Sequence, residues 1–505
     1  MDEEKTAEPV TQPAFSEEQP ASVEDLPEST FAKWCRRLDN IPGLEVRGIE
    51  RVEEDQRQPL ATTAAYFQMF IVWFSINCTS NNMTLGILGP VLFGLGFKDA
   101  VLCCLFGTIF GSACTGYMAG FGPRSGLRTL IVARYSTGYW PSKLCVLLNI
   151  VIEVGYGVVD CLVAGLILNA VSGYKMTVVV GIVVSALIAW VIATFGIKWF
   201  HAFERYVWIP TVLVLFILIG SAGPNFDTST PSSGSGAVLA GNRLSYFFLT
   251  ASGPLGWAPA AADFYSYFHP KTPRIATATM TGAGITMGKL LIEFLGIGLA
   301  SCLASTPAWS AAFDHSTGAL ITAAFDPLGS QFGHFCAVVL ALCVSANNIP
   351  GTYAAALNFQ MLGRPLARVP RPIWATIVVV IYTVCAIAGR AQLLSIFLNF
   401  LSLIGYWVII WVAIVLEDEF IFRRRTGFDW ARSTDRSYLP VGLAAFVSFL
   451  VGWAGAILCM YQTYYTGPIA KLVGNGADLG LPVAMSWTAL VYPPLRVLEL
   501  KFIRR

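Results

Sequence analysis

The sequence predicts an all-α membrane protein, and three observations support that prediction. Of its 505 residues, 55% are hydrophobic and only 13% are charged, whereas a soluble protein carries about 25% charged residues. Apolar runs long enough to cross a bilayer recur from Ala64 to Leu498. Two of these runs are interrupted near their middle by residues that break a helix or are costly in hydrocarbon.

Composition also excludes several classes of function. The net charge of +2 argues against a nucleic-acid partner. The 12 cysteines follow no regular spacing, so we expect reduced, buried side chains and not a disulfide framework. The acidic N-terminus is not a signal peptide, and no nucleotide-binding Walker motif points to ATP-driven pumping. Without a nucleophile–base pair or a metal-binding set, we predict neither an enzyme nor a cofactor.

The clearest interruption lies in the run from Leu244 to Phe268, where Ser252, Gly253 and Pro254 follow one another. Glycine costs about 1 kcal/mol in a helix and proline about 3 kcal/mol. In hydrocarbon, the backbone groups that a broken helix frees are tolerated only against a cavity or other protein. The sequence therefore predicts a break at these three residues, beside a polar site at membrane depth.

A second interruption lies in the first apolar run, Tyr66 to Phe97, which contains the polar stretch from Asn77 through Ser80 and Asn81 to Asn82. These runs are spans 1 and 6 of the predicted order, five apart. An odd repeat length inverts the second copy relative to the first. The spacing thus predicts two inverted five-helix repeats with broken helices 1 and 6, plus two extra helices, an arrangement used by secondary transporters.

The other ten predicted spans bring the total to twelve transmembrane helices. They are about Val101–Gly120, Leu144–Val171, Met176–Phe195, Val207–Ala222, Ala276–Ala304, Phe332–Leu362, Pro372–Gly389, Gln392–Leu416, Val441–Tyr461 and Leu481–Leu498. Lysine and arginine concentrate in the loops after the even-numbered spans, which predicts that these loops and both termini are cytosolic.

The predicted organisation follows from these spans. Residues 1–60 are a disordered cytosolic tail, 61–222 the first repeat, 223–242 an extracellular linker, 243–416 the second repeat, 417–498 the last two spans, and 499–505 a cytosolic tail.

Six segments together resemble the fungal purine–cytosine permeases, a branch of the nucleobase–cation symporters. They are LGILGPVLFGLGF (85–97), GPRSGLRTLIVARYS (122–136), FGIKWFHAFERYVWIP (195–210), AADFYSYF (261–268), ANNIPGTY (346–353) and LELKF (498–502). The resemblance runs from about Leu60 to Lys501. It implies a five-helix inverted-repeat fold and proton-coupled import of purines, cytosine or related rings across the plasma membrane.

The resemblance also implies site residues. Trp257 matches an aromatic position near the substrate, and Glu204 matches a glutamate important for transport. Asn347 and Asn348 offer donors and acceptors for a base edge, and Pro350 after them is a predicted helix break that interrupts span 8 and frees carbonyls for the site. We place Ser80, in the first interruption, in the predicted substrate site as well.

The chain departs from the family at three positions. Relatives typically show tryptophan in place of Tyr156 and asparagine in place of Asp160, and they often show asparagine in place of Gly351. Glu153, Tyr156 and Asp160 share one face of span 3, and ionisable groups inside a membrane are expensive. We therefore expect a changed substrate preference, with pyridoxine-like vitamins, nucleosides and substituted purines as alternatives to adenine or cytosine. The competing interpretation is that Asp160 only bonds a neighbouring helix.

Three carboxyl groups are predicted to serve proton coupling or gating, namely Glu204, Glu153 and Asp263. Glu204 could equally form an ion pair at the start of its helix. Lys289 and Glu293, four residues apart on span 7, are expected to pair. Sodium remains the alternative coupling ion, and an uncoupled facilitator or channel and a nutrient sensor are the competing functions.

Overall fold

A computed structural model of the protein describes residues 48–195 and 197–503, without the side chains of residues 195–204. Within these ranges the chain is helical throughout, with no strand and only an isolated β-bridge between Tyr461 and Thr466. Seven helices of the described part are long and apolar enough to cross a membrane. Two shorter apolar helices, Val178–Thr194 and Leu443–Cys459, accompany them.

Sixteen helices of seven residues or more lie within the described ranges, and we number them in chain order. They are α1 Thr63–Asn77, α2 Asn81–Phe93, α3 Phe97–Ala119, α4 Ser142–Val171, α5 Val178–Phe195, α6 Ile197–Ala222, α7 Gly236–Leu255, α8 Arg274–Ser301, α9 Pro307–His315, α10 Thr317–Ala323, α11 Ser330–Cys343, α12 Ser345–Leu362, α13 Arg371–Ala388, α14 Leu393–Glu417, α15 Leu443–Cys459 and α16 Gly480–Phe502. A 3-10 segment, Ala258–Tyr265, follows α7.

The first span is broken where the sequence predicts. α1 ends at Asn77 and α2 begins at Asn81, and Cys78 between them has a non-helical backbone at φ −85° and ψ 61°. Polar side chains at this point can bond the backbone groups that the break releases, which is why the break is tolerated away from water.

The second break lies a few residues later than predicted. α7 begins at Gly236 and continues through Ser252, Gly253 and Pro254 to Leu255 before the 3-10 segment starts. The helix continues past Pro254 because this residue lies in its last turn. There the Thr115 hydroxyl donates to the Pro254 carbonyl at 2.7 Å. The predicted linker is correspondingly shorter, since α7 already begins at residue 236.

A third interruption also lies elsewhere than predicted. Pro350 lies inside α12, and the break in this span falls at Val344, between α11 and α12. Asn347 and Asn348 therefore lie at the start of α12, where both backbone N–H groups donate to the Val344 carbonyl at 3.1 Å.

Several structured segments were not predicted. Two helices, α9 and α10, follow α8, and three short helical turns lie within residues 121–137. Residues 48–60, which the sequence analysis places in the tail, pack against the body: the Val52 N–H donates to the Gly126 carbonyl at 2.9 Å and the Gln58 N–H to the Tyr267 carbonyl at 2.8 Å.

The helices run between two ends, which we name by their loops. The linker end carries residues 223–235, 302–329 and 460–479, and it is joined by a bond from the Ser233 N–H to the Gly94 carbonyl at 2.8 Å. The basic end carries residues 120–141, 266–273, 363–370 and 423–442. There Glu419 accepts from Arg124 at 2.8 Å and from Arg274 at 2.9 Å, which ties α14 to α3 and α8.

Two glycines on α3 let α7 approach closely. A Cβ atom built on Gly107 would lie 2.3 Å from the Phe247 carbonyl oxygen, and one built on Gly111 would lie 2.1 Å from the Ala251 carbonyl oxygen. Gly107 and Gly111 form the kind of small-residue pair by which membrane helices pack. This contact holds α7, the helix that precedes the second break, against α3.

Substituting Gly111 by alanine should therefore push α3 and α7 apart. Overpacking costs about 1–3 kcal/mol, so we expect a lower thermal midpoint for the purified protein in detergent. Gly220→Ala is the matched control, because no atom of the described residues lies within 4 Å of a Cβ at Gly220. Equal midpoints for the two variants would show that the close approach is unimportant.

Candidate functional site

The first break is stabilised by its own polar side chains. The Asn77 amide donates to the Trp73 carbonyl at 2.9 Å, and the Asn82 amide donates to the Asn77 carbonyl at 2.8 Å. Asn81 accepts from the Thr79 hydroxyl at 2.6 Å. These bonds satisfy the carbonyls at the end of α1, as the predicted role of Asn77 and Asn81 requires.

Ser80 faces away from this network. Its hydroxyl donates to the Leu340 carbonyl at 2.7 Å, and its N–H donates to the Cys343 sulfur at 3.3 Å. Ser80 therefore links the first break to the end of α11. With its hydroxyl proton used in this bond, Ser80 has only acceptor lone pairs left for a ligand.

The second break is held from α4. The Tyr156 hydroxyl donates to the Gly253 carbonyl at 3.0 Å, and a Cβ on Gly256 would lie 2.8 Å from that hydroxyl. Glycine at position 256 thus leaves room for Tyr156. The Ser252 hydroxyl donates within its own helix to the Phe248 carbonyl at 2.8 Å and packs against Gly405 of α14.

Lys289 lies between the two breaks. Its ammonium bonds the Asn82 side-chain oxygen of the first break, and a Cβ on Gly253 of the second break would lie 3.0 Å from it. As expected, Lys289 also pairs with Glu293, with N and O atoms 3.3 Å apart. Glu293 accepts further bonds from Cys104 at 3.1 Å and Thr108 at 3.0 Å. Both charged side chains are buried.

Aromatic rings gather beside the second break. The rings of Tyr156 and Trp257 are close to parallel, with centroids 6.3 Å apart and planes inclined by 14°. Phe400 meets Tyr156 edge-on at 5.3 Å, and Trp73 meets Trp257 edge-on at 6.0 Å. Trp257 is buried rather than interfacial, which excludes an anchoring role at the membrane surface.

The two predicted carboxyl groups of α4 lie along this aromatic group. Asp160 is fully buried, and neither of its carboxyl oxygens has a well-aligned hydrogen bond among the described residues. Asn81 and Lys289 are the polar side chains that face it. Glu153 is buried too, and the Asn149 amide donates to it at a long 3.4 Å. Buried polar atoms without partners are rare in proteins and require an explanation.

Gly351 opens space in front of Glu153. A Cβ at Gly351 would meet only the Glu153 carboxyl oxygen, at 3.0 Å, within a 4 Å radius in the described part of the chain. A larger side chain at this position would therefore extend towards Glu153. The absence of a side chain here leaves the carboxyl group uncovered on the α12 side.

Asn347 and Asn348 differ in their surroundings. Both are buried, and the Asn347 side-chain oxygen has no partner among the described residues. The Asn348 amide contacts the Cys161 sulfur at 3.6 Å, and its side-chain oxygen lies 3.4 Å from the Thr352 hydroxyl. Asn347 is therefore the one with an unsatisfied acceptor.

Asp263 closes the site towards the basic end. Its carboxylate accepts from the Thr129 N–H at 2.6 Å and the Thr129 hydroxyl at 2.8 Å, and Arg128 lies beside it. Arg128 also donates to the Tyr353 hydroxyl at 3.3 Å. A cavity of only about 20 Å³ remains among these residues and Pro350, room for about one water molecule.

The predicted set thus separates into groups. Tyr156 and Trp257 contact each other, Glu153 and Asp160 lie on the same helix as Tyr156, and Gly351 faces Glu153, while Asp263 bonds Thr129 towards the basic end. The side chain of Glu204 lies outside the described residues. Trp73, Phe264 and Phe400 were missed, because an aromatic residue in an apolar helix has the same sequence pattern whether it faces a site or the core.

Lys289 generates a stability prediction. Replacing it by methionine leaves the buried Glu293 carboxylate without its positive partner. Removing one partner of a buried ion pair lowers the free energy of unfolding by about 3–5 kcal/mol. Adding Glu293→Gln should recover most of that loss, as measured by thermal unfolding of the purified variants. Lys175→Met, at an exposed position, is the control. If the double variant were no more stable than Lys289→Met alone, the pair would not be the stabilising contact.

Comparison with known proteins identifies the family. A family model described as a permease for cytosine/purines, uracil, thiamine and allantoin matches residues 57–482. The purine-cytosine permease FCY2 of Saccharomyces cerevisiae is 31% identical over 524 residues, which cover 100% of this chain and 95% of that protein. The vitamin B6 transporter TPN1 of the same yeast is 31% identical over 523 residues, covering 93% of this chain and 90% of TPN1.

A solved structure shares the fold. Mhp1, a nucleobase-cation-symport-1 family transporter solved in a closed conformation with bromovinylhydantoin bound, aligns with a TM-score of 0.66 at 14% identity over 91% of this chain and 96% of its own. Together with the match to the family model, this shows that the chain is a multi-pass membrane transporter and not an enzyme. It belongs to the family of permeases for cytosine/purines, uracil, thiamine and allantoin.

Proposed function

We propose that the protein is a secondary active transporter that imports a small planar nitrogen heterocycle across the plasma membrane by alternating access. In this proposal the chain crosses the membrane twelve times as two inverted five-helix repeats plus two helices. The basic end faces the cytosol, because lysine and arginine favour that side. The linker end then faces outward and receives the cargo.

The observation that carries the proposal is the parallel pair of Tyr156 and Trp257, with centroids 6.3 Å apart. A flat ring needs about 7 Å between two faces, twice the carbon–carbon contact distance of about 3.5 Å. The two side chains would have to separate before such a ring could enter between them. The unpaired oxygens of Asp160 and Asn347 supply acceptors for N–H groups on the edge of a cargo.

Purine and cytosine-like nucleobases are the first cargo candidates, as the similarity to FCY2 suggests. Pyridoxine-type vitamins are the second, because two carboxyl groups, Glu153 and Asp160, lie beside the aromatic pair. A carboxylate without a partner favours a cargo that is cationic or rich in donors. TPN1, a vitamin B6 transporter by name, is as similar to this chain as FCY2 is.

We infer that protons and not sodium drive import. The Lys289 ammonium already lies between the two breaks, bonded to Asn82 and paired with Glu293. The ammonium takes up the Asn82 side-chain oxygen at the first break, an oxygen of the kind that a sodium ion would need there as a ligand. Glu204, Glu153 and Asp263 are the carboxyl groups proposed to take and release the proton.

Uptake by cells that lack their own transporters tests this function. Labelled adenine, cytosine, nucleosides and pyridoxine should be compared at two pH values, with and without a protonophore. We expect accumulation of one cargo class that a protonophore abolishes. Uptake that only equilibrates and ignores the protonophore would indicate a facilitator, and dependence on external sodium would contradict the proton mechanism.

Trp257→Ala should weaken uptake of the identified cargo. Stacking of a base on an aromatic ring contributes about 1–3 kcal/mol, which corresponds to a loss of about 5- to 150-fold in affinity. Trp257→Phe should retain part of the affinity, since it keeps an aromatic face. The control is Trp140→Ala, because Trp140 is 66% exposed. Unchanged affinity in Trp257→Ala at normal surface expression would remove Trp257 from the site.

Asp160→Asn should change which cargo is preferred. The amide adds a donor and removes the negative charge, so uptake of a cationic ring should fall by about tenfold or more, the loss expected when a charged hydrogen bond of about 1.5–3 kcal/mol is removed. Competition by a panel of unlabelled rings measures the profile, with Asp314→Asn at an exposed position as control. A profile identical to that of the parent would confine Asp160 to a structural role.

A further inference from the structure

A second cavity lies at the linker end, apart from the aromatic pair. Its volume is about 370 Å³, and Phe93, Asn242, Leu249, Ser402, Gln462 and Asp478 are among its lining residues. These residues come from α2, α7, α14 and the loop between α15 and α16. Cavities that bind small molecules measure about 300–1,000 Å³, so the space suits a ring-sized ligand.

One wall of this outer cavity is a cluster of polar side chains that hydrogen-bond to one another. The Asp478 carboxylate accepts from the Tyr406 hydroxyl at 2.5 Å and from the Gln462 amide at 2.7 Å, and the Gly480 N–H donates to its other oxygen at 3.0 Å. Its own N–H donates to the Ser245 hydroxyl at 2.8 Å. Asp478, Gln462 and Tyr406 are all buried. Burial raises the pKa of Asp478 to about 6.

A purely structural role explains part of this group. Asp478 lies just before α16 and bonds its first N–H, as a helix cap does. Capping does not account for Gln462, a lining residue whose buried side-chain oxygen has no hydrogen-bond partner among the described residues. A rotation of this side chain would present the unpartnered acceptor to the ring-sized space, where a ligand with N–H or O–H donors would satisfy it.

The floor of the outer cavity adjoins the aromatic pair. Leu249 precedes Gly253 by one helical turn, and the Gly253 carbonyl accepts from Tyr156. One turn of helix is about 5.4 Å, so a solute in the outer cavity would be about one turn from the Tyr156–Trp257 space.

We propose that this cavity is an outer binding site, in which the cargo bonds Gln462 and Asp478 before it moves inward to Tyr156 and Trp257. The ligand is of the same class, a small ring carrying hydrogen-bond donors. The inference rests on the proposed transport function and adds a second, separable site to it.

Cysteine protection in intact cells tests the outer site. Asn475→Cys places a thiol in the lining at an exposed position, where a membrane-impermeant maleimide can reach it. Thr228→Cys, exposed in the linker and outside the lining, is the control, and labelling of the parent chain is subtracted. Each reporter is made both in the parent and with Trp257→Ala, which weakens the inner site, and the probe is the cargo identified by uptake.

At ten times its outer-site Kd, cargo should slow labelling of Asn475→Cys about tenfold, because free protein falls as 1 + [L]/Kd. The protection should persist with Trp257→Ala and disappear with Gln462→Leu, while Thr228→Cys is unaffected. The Gln462→Leu protein must reach the surface in normal amount; Ser402→Ala, a milder change in the same lining, should weaken the protection too.

Two results would overturn the outer site while transport stands. Normal uptake by the parent with no protection of Asn475→Cys is one. Protection that vanishes with Trp257→Ala but survives Gln462→Leu is the other, since it would reflect closure driven from the inner site. Absence of any transported cargo, by contrast, would overturn the transport proposal itself.

Discussion

The structure depends on one buried contact, the Lys289 ammonium lodged between two broken helices. Backbone that leaves helical geometry inside hydrocarbon must find partners in the protein. Lys289 bonds Asn82 on the first break and lies against Gly253 on the second. Glu293 neutralises the Lys289 charge, with N and O atoms 3.3 Å apart. The buried ammonium and the non-helical segments therefore stabilise each other. Around this contact, α2, α7 and α8 form the wall that positions the aromatic pair.

The same contact explains why the site is both rigid and incompletely bonded. The breaks are held by Asn77, Asn82 and Tyr156. Next to them, the Asp160 carboxyl oxygens lack a well-aligned hydrogen bond and the Asn347 side-chain oxygen has no hydrogen bond in the described part of the chain. A site that satisfied all its polar groups internally would gain little by binding a cargo. Unsatisfied acceptors on a fixed frame favour a ligand that brings its own donors.

Much of the fold could be predicted because its causes are local. The polar run from Asn77 to Asn82 locates the first break, since such residues are too costly in an unbroken lipid-facing helix. The break after α7 was misplaced because Pro254 tells only that the helix is weakened nearby. Its survival to Leu255 depends on Thr115 and the glycines of α3, which are distant in sequence. Likewise Pro350 is accommodated in α12 and the interruption falls at Val344.

For the site, composition and spacing identified the carboxyl groups of α4, because charge inside a membrane stands out in the sequence. They could not identify Trp73 or Phe400, since aromatic residues are ordinary in apolar helices. Nor could they show that Lys289 contacts residues at both breaks in addition to pairing with Glu293. Tyr406, Gln462 and Asp478 of the outer cavity come from three separate segments. No sequence motif in any one of these segments predicts that they come together.

The central claim is that the two breaks enclose the cargo beside Tyr156 and Trp257. An experimental structure of the purified protein with its transported compound bound tests it most directly. The account predicts density for a flat ring between these two side chains, within hydrogen-bonding reach of Asp160 or Asn347. Well-resolved cargo elsewhere, with Tyr156 and Trp257 in unbroken contact and Lys289 displaced from both breaks, would contradict it.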